Sequence, residues 1–346
     1  MVLADLGAEV IKVERPGTGD DSRQIGPFVN GVSAYFASVN RGKASIALDL
    51  ADDRDRARFE ELLAEADVLV ENFRPGAMGR LGYGWHDLHP RFPRLIYASV
   101  SGFGQTGPMA PLPAYDMVVQ AIGGVMSITG EPGGQPTRVG TSIGDIAAGL
   151  FTAVGVCSAL YERAATGEAA MIDVGMLDSQ VAILENALAR YTATGEVPGP
   201  IGSRHPSITP FGAFATADGS IVIAAANDAL FRQLCAVLGV PELADDPRFA
   251  TNPTRTEHHD ALKVEMEIAL ARRPGHEWLD LLGDAGLPCG PINDIAAVLA
   301  HPQVQARNMV VTVDDPRLEG FAVAGNPIKN SRHPDPPTRG PVPDLG

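Results

Sequence analysis

Asp145 follows Gly144 and opens a long apolar segment that runs to Leu160. A carboxylate at that place meets the unpaired N–H groups and the positive dipole end of a helix. Two chemistries fit. As an N-cap, Asp145 secures the helix start; as a nucleophile, ionised at neutral pH, it attacks an activated acyl group. Gly144 has no Cβ, so another backbone segment or a ligand can come close. The helix end is expected to hold Asp145 ionised, an effect worth about 0.3–1 kcal/mol.

Other chemistries lack their motifs. The chain has no GxxxxGK[ST] loop, no GxGxxG after a strand, no GxSxG elbow and no HExxH. Nucleotide hydrolysis, dehydrogenation, serine hydrolysis and zinc proteolysis therefore lose their best support. Cys157, Cys235 and Cys289 lie far apart without CxxC or Cys/His spacing, which argues against a disulfide framework or a zinc site and fits a reducing compartment. The histidines are scattered, and adjacent His258 and His259 diverge on a helix, as a solvated pair does. No metal is expected.

The elements that must position Asp145 read as α/β. Glu9–Glu14, Ala44–Leu50, Asp67–Phe73 and Arg94–Val100 are short apolar strands, and Asp52–Ala66 is an amphipathic helix. Such alternation implies a parallel sheet covered on both faces. After the apolar helix come a strand at Ala169–Val174 and a helix at Leu177–Thr194. A Gly/Pro-rich stretch at 195–204 reads as a linker. Beyond it, residues 211–226 form a hairpin turning at Asp218-Gly219, followed by helices near 228–239, 257–271, 275–285 and 293–300. Two weak strands, Val310–Val313 and Phe321–Val323, precede a Pro-rich tail. The expected division is a large α/β domain at 1–200 plus 305–346 and a smaller α+β domain at 201–304. Met1–Gly7 reads as the last turn and a half of a helix closed by glycine. The chain is thus expected to lack a preceding strand, through truncation or a miscalled start.

The 346 residues carry a formal charge of −15. That balance argues against nucleic-acid binding and an electrostatic membrane anchor, yet local arginines and helix starts can still hold an anionic ligand. No apolar run is read as reaching the ~18–20 residues of a membrane span, and no signal peptide is evident. A soluble, cytoplasmic protein is expected, with no nucleic-acid or membrane partner.

Several segments stand out in a fixed order: Leu3–Asp20 around Val-Ile-Lys-Val-Glu-Arg, Asn40–Lys43, Glu71–Gly76, Gly102–Pro108, Ala114–Met117 with Gln120-Ala121, Gly144-Asp145, Asp173–Asp178, Asn227-Asp228, Asp246–Phe249 and Leu287–Pro291. Together they resemble the family III CoA-transferases, the group containing formyl-CoA transferase, carnitine CoA-transferase and α-methylacyl-CoA racemase. The resemblance spans essentially the whole chain. It implies a Rossmann-like large domain, a small domain, and two interlocked subunits forming a homodimer. It also implies coenzyme A or acyl-CoA as substrate, a small carboxylic acid as second substrate, and no permanently bound cofactor. By resemblance Asp145 is the catalytic aspartate. Arg15 contacts the nucleotide portion of CoA, while Leu48, Asn72, Phe73 and Arg80 line or hold CoA. Met176 approaches the pantetheine and acyl end.

Departures from the family pattern are specific. The strand and glycine loop that normally precede the first segment are absent, Pro113 and Ala51 replace basic residues of some members, and Gly199–Pro206 is a looser counterpart of the family's glycine-rich loop. The resemblance implies a transferase that moves CoA from a donor such as succinyl-CoA to an acceptor acid, through anhydride and thioester intermediates on Asp145. The alternatives are a racemase, disfavoured because no histidine lies between His89 and His205, and an inactive, shortened CoA-binding member. Arg138 and Arg204 with His205 are candidates for pairing with a distal carboxylate.

Overall fold

The computed structural model describes residues 1–346. The chain divides into two compact units: Met1–Val125, Val139–Asn186 and Val298–Gly346 in one, and Met126–Arg138 with Ala187–Ala297 in the other.

The first unit is α/β. Strands Ile11–Glu14 and Ala44–Ala47 pair in parallel with Ile11 opposite Ala44. Strands Val68–Glu71, Ile96–Ser101 and Met171–Gly175 form a second parallel sheet in that order, with Val68 opposite Ile96 and Tyr97 opposite Met171. Parallel neighbours need crossover connections, and Asp116–Ile122 and Ile143–Thr166 supply helices for the last one. Helix Asp53–Glu65 is N-capped by Asp52, whose carboxylate accepts the N–H groups of Arg54 and Asp55. Its Phe59 and Leu63 pack with Leu48, Met78, Tyr83 and Tyr97. Near the C-terminus, Val310–Val313 pairs antiparallel with Ala322–Ala324 and parallel with Thr338–Arg339.

Helix Ile143–Thr166 buries a stripe of small residues, Gly144, Ala147, Ala148, Thr152, Ala153, Val156 and Ala159. Small side chains let it lie close to its neighbours. The face away from that stripe exposes Ile146, Leu150, Phe151, Val154 and Tyr161. By length and composition this helix is apolar enough to cross a membrane. Core helices meet the same criterion, and the uninterrupted apolar run stops at the Glu162-Arg163 charges, as read from the sequence. The expected helix Leu177–Thr194 differs. It is two helices, Met176–Ile183 and Asn186–Thr194, broken where Glu185 takes φ +42°.

The second unit is α+β. Strands Phe211–Ala215 and Ser220–Ala224 form an antiparallel hairpin, closed by the Thr216 N–H donating to the Gly219 carbonyl at 2.8 Å. Cys289–Pro291 adds a third antiparallel strand beside Ser220–Ala224. Helices Asp228–Leu238, His259–Leu270 and Gly275–Asp284 enclose a core containing Phe214, Ile223, Phe231, Met266 and Trp278.

Candidate active site

Arg163, near the end of helix Ile143–Thr166, donates to the carbonyls of Asp67 (3.2 Å) and Arg94 (2.7 Å), which lie just ahead of two strands of the sheet. The helix therefore finishes at the amino ends of those strands. Rising about 1.5 Å per residue, its 24 residues carry its start past the carboxyl ends. That is the edge where open parallel sheets take ligands, and Asp145 sits there.

Asp145 is the third residue of the helix, not its N-cap. Ser142 flanks the start and makes no side-chain capping bond. The cap comes from another helix: Asp116 Oδ1 accepts the Gly144 N–H at 2.8 Å, and its Oδ2 accepts from Gln120 Nε2 at 2.7 Å. Gln120 is fully buried and its Oε1 accepts the Val139 N–H at 2.9 Å. One of the donors at the helix start is thus occupied by a second carboxylate. Asp145 itself is exposed, yet its pKa is raised, first by desolvation from the surrounding atoms and then by the charge of Asp116. The expectation that the helix end would hold Asp145 ionised is reversed: desolvation is the larger cause, and Asp116, which accepts the Gly144 N–H, adds a like charge.

The missing Cβ at Gly144 has a definite use. A Cβ there would lie 2.8 Å from Val119 Cγ2, 3.0 Å from Asp116 Oδ1 and 3.4 Å from Gln180 Nε2. Gln180, on helix Met176–Ile183, is 0 % exposed, and neither its amide nitrogen nor its oxygen has a hydrogen-bond partner. Leaving a buried polar atom unpaired costs about 1–3 kcal/mol.

Of the residues singled out from the sequence, Asn72 and Phe73 are exposed just past strand Val68–Glu71. Met176 is partly exposed directly after Met171–Gly175. These three therefore share the carboxyl edge of one sheet. Arg15, exposed after Ile11–Glu14, is ion-paired with Asp21. Arg80 ends the short helix Ala77–Arg80, exposed and without an ion pair. Leu48 follows Ala44–Ala47, but its side chain is packed into the core with Phe59 and Met78. Arg138, Arg204 and His205 belong to the second unit, where the His205 N–H donates to the Phe211 carbonyl at 2.8 Å.

Sequence reasoning gave no role to the polar chain beside Phe73. Buried Glu71 accepts the Ser99 hydroxyl, and Gln105 Nε2 donates to Ser99 Oγ at 2.7 Å. Glu71 Oε2 accepts the Phe73 N–H at 2.8 Å, and Asp173 accepts the Gln105 N–H at 2.9 Å. Together these bonds fix the loops that leave the strands. A charged residue ending an apolar strand, as Glu71 does, is the available sequence signal.

A family model described as CoA-transferase family III matches residues 1–346. The chain is 51% identical over 345 residues to an acetyl-CoA:oxalate CoA-transferase of Acetobacter aceti, covering 99% of this chain and 87% of that protein. It is 39% identical to a succinate–glutarate CoA-transferase of Agrobacterium fabrum, covering 96% of this chain and 85% of that one. Among solved structures, a CAIB/BAIF family protein from Brucella suis superposes with a TM-score of 0.86 at 39% identity, covering 99% of this chain and 90% of that chain. Rv3272 from Mycobacterium tuberculosis gives a TM-score of 0.89 at 34% identity, with 100% and 91% covered.

Proposed function

The chain belongs to CoA-transferase family III, and from that membership we propose that it moves CoA between small carboxylic acids with Asp145 as nucleophile. The observation that supports the assignment is the isolation of Asp145: a carboxylate without a hydrogen-bond partner at the carboxyl edge of a parallel sheet, its pKa raised by desolvation and by Asp116. A more basic carboxylate is a stronger nucleophile, and a partly desolvated one has less hydration to shed.

Asp145 attacks the thioester carbonyl of the donor acyl-CoA; a C–O bond forms, the C–S bond breaks, and CoA leaves as thiolate. The thiolate attacks the aspartyl carbonyl of the anhydride, forming an aspartyl-CoA thioester and releasing the donor acid as carboxylate. The acceptor carboxylate then attacks that thioester and expels CoA. Finally the thiolate takes the acceptor acyl group from the second anhydride and frees Asp145. Each step exchanges one acyl bond for another of similar energy, so the sequence is reversible and needs no net proton. Orientation can contribute about 7–11 kcal/mol to such attacks.

Arg15 is assigned to the CoA nucleotide, Asn72, Phe73 and Arg80 to lining or holding CoA, and Met176 to the pantetheine and acyl end; all but Arg80, which ends a short helix, follow strand ends. For Leu48 the assignment is confined to its backbone, since its side chain is core. The similarity to the Acetobacter protein supports oxalate or another small dicarboxylate as acceptor, with acetyl-CoA or succinyl-CoA as donor. The exposed apolar face of helix Ile143–Thr166 supports a homodimer that covers it.

The test is to mix the protein with each donor and a panel of carboxylic acids and identify new acyl-CoA by mass spectrometry. New acyl-CoA that disappears in Asp145→Ala, with CoA binding intact, supports the reading. Full activity in that variant would sink it.

A further inference from the structure

Resting on the reading of Asp145 as nucleophile, we infer that Gln180 is a positioning residue for it: the buried carboxamide donates to Asp116 when substrate engages, spreading the Asp116 charge while that residue holds Gly144.

Two glycines make the slot that Gln180 occupies. A Cβ on Gly123 would lie 2.6 Å from Gln180 Cβ, and one on Gly144 would lie 3.4 Å from Gln180 Nε2. The helix carrying Gln180 is secured by Ser179, whose hydroxyl donates to the Gly175 carbonyl at 2.8 Å. A methionine or leucine would fill this slot with no polar atom to desolvate. An amide without partners in that slot is a group free to take one during turnover.

Asp116 Oδ1 is the acceptor at hand. It and Gln180 Nε2 surround the same point, the Cβ position of Gly144, at 3.0 and 3.4 Å, so a side-chain rotation joins them. Asp116 already accepts two hydrogen bonds, and a carboxylate has room for more. Asp116 is also the charge nearest to hand. Of the elements packed on the helix, Met176–Ile183 brings Asp178, which lies against Gly175 and Gly104. Met171–Gly175 brings Asp173, held by the Gln105 N–H. Val2–Asp5 brings Asp5, paired with Arg41, and Ile96–Ser101 brings none. Asp116 is the charge that acts on Asp145.

The experiment compares wild type, Gln180→Met and Gln180→Leu in thermal melts and in transfer kinetics across pH, with acetyl-CoA or succinyl-CoA as donor. Both variants are expected to melt no lower than wild type, because an unpaired buried amide has been removed. Their kcat should fall by about tenfold, because the positioning lost with one charge-assisted hydrogen bond to Asp116 outweighs the gain in Asp145 basicity, with KM for acyl-CoA within about twofold. The acid limb of their kcat profile should move to higher pH, because Asp145 then faces an unshielded Asp116. An active wild type with variants that match it in kcat and acid limb overturns this inference alone. Variants that lose the cooperative fold would show a purely structural amide and overturn it too. A wild type that moves no CoA overturns the transferase reading, and this inference with it.

Discussion

Asp116 accepts the backbone N–H of Gly144 at 2.8 Å, so the start of the helix that presents Asp145 is capped by a second carboxylate from 28 residues upstream. One contact does two things. It satisfies a donor at the helix start, and it sets a like charge beside the candidate nucleophile.

Asp116→Asn keeps an acceptor for Gly144 but removes the charge. Asp145 should then ionise at lower pH, and the acid limb of kcat should move to lower pH. The melting temperature should change little, since the cap survives; loss of a cap altogether costs about 0.5–2 kcal/mol. An acid limb that stays in place would show that Asp116 does not act on Asp145.

Asp145→Asn should raise stability at neutral pH. The pKa of Asp145 is raised in the fold, so the native state prefers the protonated form. Its contribution is fully present below the ordinary value of 3.8 and is lost as pH rises through the folded value. The gain from the substitution should therefore be present at pH 7 and vanish in melts below pH 3.8. A gain that is independent of pH contradicts this.

Gly144→Ala places a methyl group 2.8 Å from Val119 Cγ2 and 3.0 Å from Asp116 Oδ1. Overpacking of this kind costs about 1–3 kcal/mol, and the shift it forces moves the residue next to Asp145. Denaturant unfolding and the transfer rate should both be impaired. Wild-type values in both would refute the tight approach.

Glu14 tests the far pair of strands. Burial alone would raise its pKa, but hydrogen bonds from Arg23, Ser45 and the Asp20 N–H hold it at about 2. The stability it contributes is present above the ordinary value of 4.5 and lost as pH falls through about 2. Glu14→Gln should cost about 1.5–3 kcal/mol at neutral pH, with the difference narrowing on acidification. Equal stabilities at pH 7 would contradict the network.

The exposed apolar face of Ile143–Thr166 predicts an assembly. Sedimentation should give twice the mass of the single chain. Val154→Asp, at a position 66% exposed, should shift the protein toward monomer. A monomeric wild type would contradict the homodimer.

Much of this was legible in the sequence where the signal is local. The strand–helix alternation located the five strands of the two all-parallel sheets, and the absent Cβ at Gly144 pointed to a close approach, though by side chains rather than the backbone or ligand expected. What fills the space was not legible, because Asp116 and Gln180 reach Gly144 through tertiary packing. The four-residue spacing of Asp116 and Gln120 was the available hint, since such residues share a helix face. The direction of the Asp145 pKa was misread for the same reason: the desolvation and the Asp116 charge that raise it both arise from tertiary packing. The break at Glu185 was missed because a positive φ at a glutamate leaves no compositional mark.

The most direct measurement is mass spectrometry of the peptide containing Asp145 after the protein is mixed with donor acyl-CoA in the absence of acceptor. A CoA adduct on Asp145, discharged when an acceptor acid is added as new acyl-CoA appears, is the expected result. New acyl-CoA formed with Asp145 never modified would contradict the account.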